Sequence, residues 1–244
     1  YQAAVRAALI RRLRVAGIRV GEGQSEAASP AGERIVASVS SAPLYQLVTR
    51  TLKPSDNLWA EQLASMLAQR GAEGQQRETA QATHDAMLSA EREFLRRSGV
   101  DVGSVHLSDA SGLSRKNRLT PRALITLLRR GYTLPMLPLD TRLSPAQAYA
   151  QHKNLFIEAL AVADTGSRTP QQLARGGTLS NRLRGLNVRA KTGTLPGVSS
   201  LAGYVRARSG HLLAFSILLD RTQANTLELR AFQDELLRAL VRSH

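Results

Sequence analysis

The chain has 244 residues, of which 43% are hydrophobic, so it can form one large domain or two small ones around a buried core. It contains no cysteine, which excludes disulfides, thiolate metal sites and a cysteine nucleophile. Lysine and arginine number 33 against 19 aspartates and glutamates, which gives a formal net charge of +14. This charge fits an arginine bias spread over a solvated surface, and it would also attract an anionic partner such as nucleic acid, anionic lipid or an anionic cell-wall polymer.

The first forty residues predict a helix, a loop and a short strand. Apolar residues recur at helical spacing in "YQAAVRAALIRRLRVAG", and Gly17 fits the C-cap. The glycine- and proline-broken segment 21–33 predicts a loop near a domain boundary, and "RIVASVS" at 34–40 alternates like a strand. The chain begins with Tyr1, which we interpret as a processed or truncated product, so the lack of a visible signal peptide carries no information on export.

The central part of the chain predicts mainly helices. Thr120 is expected to be the N-cap of one helix, with Pro121 at its first position. The segment "SVHLSDASGLSRKNRLTP", which starts at residue 104, predicts a strand that leads into a polar loop. Apolar spacing predicts the other helices at 42–52, from Asn57 to about Gln69, at 79–99 and at 152–163.

The last third of the chain predicts three strands and a closing helix. "NVRAKTGT", "SLAGYVRAR" and "HLLAFSILLD" are joined by turn-sized links, which indicates antiparallel hairpins. The apolar run "LLAFSILL" is too short to cross a bilayer. In the closing helix the residues expected to face inward are Leu227, Phe232, Leu236, Leu237 and Leu240. Together these elements predict an α+β fold, with helices around an antiparallel sheet.

Two short motifs are weak signals on their own. Ser55-Asp56-Asn57 stands directly before a helix, and all three residue types are common N-caps. Lys191-Thr192-Gly193 stands at the end of a predicted strand, where a solvated lysine would be ordinary. A glycine within a strand, however, often marks the close approach of a ligand or another backbone, and an exposed strand edge can take an extended peptide.

The two motifs together are far more informative. Ser-Asp-Asn and Lys-Thr-Gly, in this order, are typical of penicillin-binding proteins and class A β-lactamases. The segments "SAPLYQLV", "SDASGLSRKNRLTPRALITLL", "GTLSNRLRG" and "AKTGTLPGVSSLAGYV" resemble the peptidase S13 D-alanyl-D-alanine carboxypeptidases of the penicillin-binding protein 4 type, from about residue 4 to residue 240. The resemblance implies the penicillin-recognising fold, an antiparallel sheet flanked by helices.

The third motif of that family, Ser-x-x-Lys, is absent from the sequence. The residues three positions before the four lysines are Arg50, Leu113, Ala150 and Val188, and none is serine. In the family, inserted domains separate Ser-x-x-Lys from Ser-Asp-Asn. The resemblance therefore implies that 1–40 is the end of an inserted region and the return into the catalytic domain, that 41–244 is the C-terminal portion of that domain, and that the attacking serine lies on another segment.

The resemblance assigns catalytic roles to three residues. It implies that Ser55 relays protons near the leaving amine and that Asn57 holds the substrate amide and the catalytic lysine. It implies that Lys191, on an exposed strand edge, supplies positive charge to the terminal carboxylate of the substrate. We expect Asp56 to cap the helix instead of taking part in chemistry.

Further residues would bind the substrate. By resemblance, Thr192 donates a hydrogen bond to the carboxylate, Gly193 lets the substrate backbone approach, and the backbone N–H of Thr194 forms half of an oxyanion hole. The residues expected to line the pocket before the scissile bond are Leu195, Ser111 and Leu113. No cofactor is implied, and the five histidines have no metal-ligand spacing.

The implied function is a serine-type D-alanyl-D-alanine carboxypeptidase that acts on peptidoglycan stem peptides through an acyl-enzyme and is inhibited by β-lactams. Endopeptidase action on cross-links stays open, and the expected location is the periplasm or another extracytoplasmic part of the cell envelope. One alternative is a non-catalytic, peptidoglycan-binding homologue. A basic nucleic-acid-binding module is less well supported, because aromatic residues are only 4% and the arginines are scattered over separate helices.

Overall fold

The computed structural model describes residues 2–20, 38, 40–70, 80–134, 143–163, 176–220 and 223–244. Two compact units, Tyr1–Ser41 and Ala42–His244, are described separately below. Among the described helices, none combines the length and apolar character that a membrane span requires. The interpretation of 1–40 as the end of an inserted region stays a prediction.

The first unit contains helix α1, Gln2–Val15. Gly17 has a φ of +78°, and the N–H of Ile18 donates to the carbonyl of Leu13 at 2.9 Å. This is the C-terminal cap in which a left-handed glycine turns the chain out of the helix, as the sequence predicts. The predicted loop at 21–33 lies outside the described residues. Of the predicted strand at 34–40 only residues 38 and 40 are described, and neither is in a strand.

The second unit holds the remaining elements. Its helices are α2 Leu44–Leu52, α3 Asn57–Arg70, α4 Ala80–Arg97, α5 Pro121–Thr133, α6 Pro145–Ala150, α7 Leu155–Ala159 and α8 Thr226–Ser243. Its strands are β1 Ala161–Val162, β2 Val188–Leu195, β3 Val198–Arg206 and β4 Leu212–Leu219. The predicted cap of α5 is present, since the Thr120 hydroxyl accepts from the N–H of Ala123 at 3.1 Å and Pro121 follows.

The described strands form one antiparallel sheet in the order β1-β2-β3-β4. Strand β2 pairs with β3 along its whole length, from Val188 opposite Val205 to Leu195 opposite Val198. On its other side β1 reaches only Arg189 and Ala190. From Lys191 onward, therefore, the outer edge of β2 is not paired with any described strand.

Helices cover both faces of this sheet, and side chains of β3 alternate between two cores. Leu201 and Val205 belong to one cluster with Leu237 of α8. On the opposite face Tyr204 packs in a second cluster with Leu128 of α5 and with α7. The α+β prediction, an antiparallel sheet flanked by helices, is therefore confirmed.

Two predicted elements differ from the structure. The segment 152–163 is helical only over Leu155–Ala159, because Leu160 is extended and the chain continues as β1. A short apolar run does not distinguish a buried helix from a buried strand. The strand predicted from 104 is reduced to one bridge between His106 and Arg118, preceded by the 3₁₀ turn Val102–Ser104.

The buried face of α8 also differs from the prediction. Leu227, Phe232 and Leu236 are 76%, 50% and 42% exposed. The buried residues recur at every fourth position instead: Leu229, Gln233, Leu237 and Val241. The prediction was wrong at those three positions because it placed only apolar residues on the buried face, whereas the polar Gln233 lies at the centre of that face. The Oε1 of Gln233 accepts a hydrogen bond from Arg182 at 3.2 Å.

This difference gives a direct test on one helix. Leu237→Ala should lower the free energy of unfolding by about 2–5 kcal/mol, because it opens a cavity in a fully buried site. The matched change Leu227→Ala, on the same helix but exposed, should change it by less than about 0.5 kcal/mol. Urea unfolding followed by circular dichroism measures both, and equal losses would contradict the assignment of the buried face.

Candidate active site

Ser55 lies in the tight connection between α2 and α3 and has a φ of +63°, which is uncommon for a residue with a side chain. The following residue holds this conformation from both directions. The N–H of Asp56 donates to the carbonyl of Thr51 at 3.0 Å, and its Oδ1 accepts from the N–H of Trp59 at 3.0 Å. Asp56 is thus the N-cap of α3, as expected.

A lysine that the sequence analysis did not single out anchors the same connection. The Nζ of Lys53 donates to the carbonyl of Leu160, directly before β1, at 2.7 Å. The carbonyl of Lys53 accepts from the N–H of Thr178 at 3.1 Å. The connection is therefore tied to the start of β1 and to the 3₁₀ turn Gly177–Leu179, both of which neighbour β2.

The second motif residue meets Ser55 from the sheet. The Nζ of Lys191 donates to the Ser55 hydroxyl at 2.6 Å and to the carbonyl of Thr192 at 2.6 Å. Lys191 is half-buried, and desolvation lowers the pKa of its ammonium from 10.5 to about 8. Within the described residues no carboxylate pairs with it. The expectation of an exposed edge lysine was therefore wrong, and the two motifs meet through this hydrogen bond.

The residues after Lys191 point alternately to the two faces of the sheet. The Thr192 hydroxyl donates to the hydroxyl of Thr178 at 2.8 Å. Thr194 is exposed, and its hydroxyl accepts from a guanidinium N–H of Arg230 at 3.4 Å. At Gly193 a Cβ would lie 2.3 Å from the Ser200 hydroxyl of β3, so a side chain there would require that hydroxyl to rotate away.

The loop that carries Ser111 and Leu113 is fixed to two elements. The Oε1 of Glu61, on α3, accepts from the N–H groups of Ala110 and Ser111 at 3.1 and 2.8 Å. A guanidinium N–H of Arg115 donates to the carbonyl of Pro196, in the turn after β2, at 2.9 Å. The loop thus joins the helix that follows Ser55 to the hairpin that carries Lys191. Leu113 is 54% exposed.

The remaining two predicted residues flank this arrangement. Asn57 is the first residue of α3 and is exposed, and its side chain makes no hydrogen bond within the part of the chain that the structure describes. Leu195 ends β2, partly buried, opposite Val198. The structure brings Ser55, Lys191 and Thr192 into one network, while the roles given to all nine residues stay predictions.

Behind the loop lies a cluster of acids that the sequence analysis missed. Burial, with smaller contributions from the charges of Glu61 and Asp109, raises the pKa of Glu91 to about 7. Asp109 holds the loop from within, accepting from the N–H groups of Gly112 and Ser114 at 2.9 and 2.7 Å. Across the described ranges, no three carboxylate, histidine or cysteine side chains are placed so that they could hold a metal ion.

The arrangement can move a proton and can hold an extended peptide. A lysine with a lowered pKa contacts a serine hydroxyl and can share a proton with it. Beside them runs the outer edge of β2, which no described strand pairs from Lys191 onward and on which an extended peptide can form backbone hydrogen bonds. Lys53 and Thr178 could have been suspected from the sequence: one is among only four lysines, and the other lies in "GTLSNRLRG".

Comparison with known proteins identifies relatives of the chain. Residues 1–240 match the D-Ala-D-Ala carboxypeptidase 3 (S13) family. A D-alanyl-D-alanine carboxypeptidase of Actinomadura sp. is 37% identical over 189 residues, which are 75% of this chain and 30% of that protein. Carboxypeptidase DacB of Mycolicibacterium smegmatis is 33% identical over 203 residues, which are 81% of this chain and 38% of that protein. The chain therefore spans well under half of these relatives.

Solved structures give the same result for the fold. Penicillin-binding protein 4 of Haemophilus influenzae, crystallised with a β-lactam, matches with a TM-score of 0.71 and 25% identity, over 98% of this chain and 50% of that one. A predatory endopeptidase of Bdellovibrio bacteriovorus matches in fold with a TM-score of 0.56 at 17% identity, over 98% of this chain and 56% of that one. The predicted penicillin-recognising fold is thereby confirmed.

The anchoring of Ser55 can be tested at Gly177. This glycine has a φ of +53°, and a Cβ there would lie 2.3 Å from the carbonyl oxygen of Lys53. Gly177→Ala should lower the free energy of unfolding by about 2–4 kcal/mol, since it combines backbone strain with a clash against rigid backbone. Gly210→Ala is the matched control, with a φ of +86° and no atom within 4 Å, and should cost only about 1 kcal/mol. Equal losses in chemical denaturation would contradict the tight contact between Gly177 and Lys53.

Proposed function

The chain belongs to the D-Ala-D-Ala carboxypeptidase 3 (S13) family, and we propose from this that it is the C-terminal part of the catalytic domain of a serine-type D-alanyl-D-alanine carboxypeptidase. The observation that carries the proposal is the 2.6 Å hydrogen bond from Lys191 to Ser55 beside the free edge of β2. The attacking serine would come from a Ser-x-x-Lys segment that is not among these 244 residues.

In the proposed reaction that serine attacks the carbonyl carbon between two D-alanines. Its oxygen forms the acyl bond, the peptide C–N bond breaks, and the leaving amine of the terminal D-alanine takes up a proton. Water then hydrolyses the ester and releases the shortened peptide. The Ser55 hydroxyl would pass a proton to the leaving amine. Lys191 would polarise the Ser55 hydroxyl or return a proton to it. A pKa near 8 supports this role, because both protonation states of Lys191 are then populated near neutral pH.

The substrate would lie along β2 as an additional strand. From Lys191 onward the outer edge of β2 pairs with no described strand, which supports binding of an extended stem peptide. The N–H of Thr194 would form half of an oxyanion hole, with the nucleophile's own N–H as the other half. Asn57 would hold the substrate amide, and Ser111, Leu113 and Leu195 would border the residue before the scissile bond.

The proposed partners follow from this chemistry. They are peptidoglycan stem peptides ending in D-Ala-D-Ala, β-lactams as acylating inhibitors, and the segment with the nucleophile. Penicillin-binding protein 4 of Haemophilus influenzae was crystallised with a β-lactam, which supports β-lactams as inhibitors. A substrate in the cell wall supports a location in the periplasm or elsewhere in the cell envelope.

A non-catalytic homologue is the alternative that shares all of these motifs. The enzyme and the non-catalytic homologue differ in whether the nucleophile is present. The test therefore needs a protein that joins this chain to its Ser-x-x-Lys segment. That protein should release D-alanine from a D-Ala-D-Ala peptide and be acylated by labelled penicillin. The 244-residue chain alone should not be acylated, and covalent labelling of it would contradict the assigned position of the nucleophile.

In the joined protein, Lys191→Ala should lower kcat/KM by roughly one to two decades, the expected loss of a charge-assisted hydrogen bond at the reacting groups. Lys191→Arg should restore only part of it, because a planar guanidinium does not fit a half-buried ammonium site. Lys116→Ala, which changes an exposed lysine, is the control and should leave kcat/KM unchanged. Unchanged kcat/KM in Lys191→Ala would remove the role given to this residue.

A further inference from the structure

Glu61 fixes the loop that carries Ser111 and Leu113 to helix α3. Its Oε1 accepts from the N–H groups of Ala110 and Ser111 at 3.1 and 2.8 Å. Within the described residues its second oxygen, Oε2, accepts no hydrogen bond. A carboxylate has room for several donors, so Glu61 can bind the loop and one further donor at the same time.

Asp109 holds the loop from within and stays ionised. Its carboxylate accepts from the side-chain amide of Asn117 at 2.7 Å and from the N–H groups of Gly112 and Ser114. Burial raises the pKa of Asp109, but these hydrogen bonds outweigh the effect of burial and lower the pKa overall. Near neutral pH, Asp109 therefore places a negative charge beside the loop.

Glu91 of α4 lies behind these two acids, because their neighbours pack together. Ala64 of α3, Met87 of α4 and Ala110 of the loop meet in one apolar cluster. Ala64 is three positions after Glu61 and Met87 is four positions before Glu91, so each acid lies on the helix face that joins this cluster. The Oε2 of Glu91 is buried and has no hydrogen-bond partner among the described residues.

The charged groups that face Glu91 are both acids, Glu61 from α3 and Asp109 from the loop. The side chains one turn away on α4 itself are apolar: Met87, Leu88, Phe94 and Leu95. An ionised Glu91 would thus be buried without a donor and beside two negative charges. Burial first, and these two charges second, raise the pKa of Glu91 to about 7. A protonated Glu91 avoids both costs and gains an O–H that can donate to the Oε2 of Glu61.

We propose that Glu91 is a positioning residue that acts through Glu61: its proton bridges the two carboxyl groups and holds the loop where Ser111 and Leu113 border the substrate. When the proton leaves for solvent, the two carboxylates repel each other and the loop becomes mobile. The role of the loop towards the substrate rests on the proposed function. The response of the loop to pH belongs to the 244-residue chain itself and does not depend on that function.

An NMR titration of the 244-residue chain from about pH 5.5 to 8.5 tests this response. The ¹³Cδ signal of Glu91 and the amide signals of Ala110 and Ser111 should move with one shared midpoint near pH 7. A change of charge alone can also move an amide signal, so the ¹H–¹⁵N heteronuclear NOE of the same amides is measured at both ends of the range. It should fall at high pH as the loop gains motion.

Glu91→Gln keeps a donor but cannot ionise, so both amides should stay at their low-pH positions with a constant NOE throughout the range. Glu93→Gln is the matched control, since it removes a carboxylate that is 39% exposed on the same helix, and it should leave the titration unchanged. The unmodified chain decides the question even where a variant does not fold. A Glu91 midpoint near the ordinary 4.5, or an NOE that does not change with pH, would overturn the inference.

Kinetics in the protein that joins this chain to its Ser-x-x-Lys segment test the consequence for the substrate. Between about pH 6 and 8, KM for a D-Ala-D-Ala peptide should rise about three- to tenfold more in the unmodified protein than in Glu91→Gln, while kcat follows the same pH profile in both. Equal KM profiles would overturn the positioning role of Glu91. A joined protein that releases no D-alanine would instead remove the proposed function, and the NMR result for the loop would stand.

Discussion

The hydrogen bond between Lys191 and Ser55 is the contact on which the rest of the site depends. It joins two segments 136 residues apart. It also requires the Lys191 ammonium to be partly desolvated beside a neutral hydroxyl. Without a described carboxylate to offset the desolvation, the charged form is disfavoured, which is why the pKa of Lys191 is lowered to about 8. The surrounding structure must therefore hold both partners in place.

Three contacts provide this support, and each acts on the segment around Ser55. The Lys53 ammonium binds the backbone carbonyl before β1, and the N–H of Thr178, in the turn beside β2, binds the Lys53 carbonyl. Gly177 lets that turn lie close to the Lys53 backbone, because a Cβ at this position would clash with it. Because Thr178 also contacts the Thr192 hydroxyl, the same turn contacts both the segment that leads into Ser55 and the strand that carries Lys191. The left-handed backbone at Ser55 is thus kept by packing and hydrogen bonds, as is common where a side chain must be aimed.

The sequence was sufficient for the motif pair, the fold and most helices, because these depend on short-range signals: Asp56 as a cap, Pro121 after Thr120, and turn-sized links between strands. It was insufficient where a long-range contact decides. The buried face of α8 includes the polar Gln233, so the apolar pattern alone does not identify that face, and the end of 152–163 pairs with β2 as a strand. Likewise, no local pattern indicates that Arg230 reaches Thr194 or that Lys191 turns towards Ser55.

The titration of Lys191 tests the central contact most directly. Its pKa in the folded chain is lower than the ordinary 10.5, so between about pH 8 and 10.5 the folded state binds fewer protons than the unfolded state. The desolvation penalty is present in full below that interval and is relieved as the pH rises through it, which makes stability increase with pH there. With lysine labelled at ¹³Cε only four side chains contribute signals, and Lys191→Met assigns the relevant one. We predict that this signal titrates near pH 8. A midpoint near the ordinary 10.5 would contradict a half-buried ammonium held against Ser55.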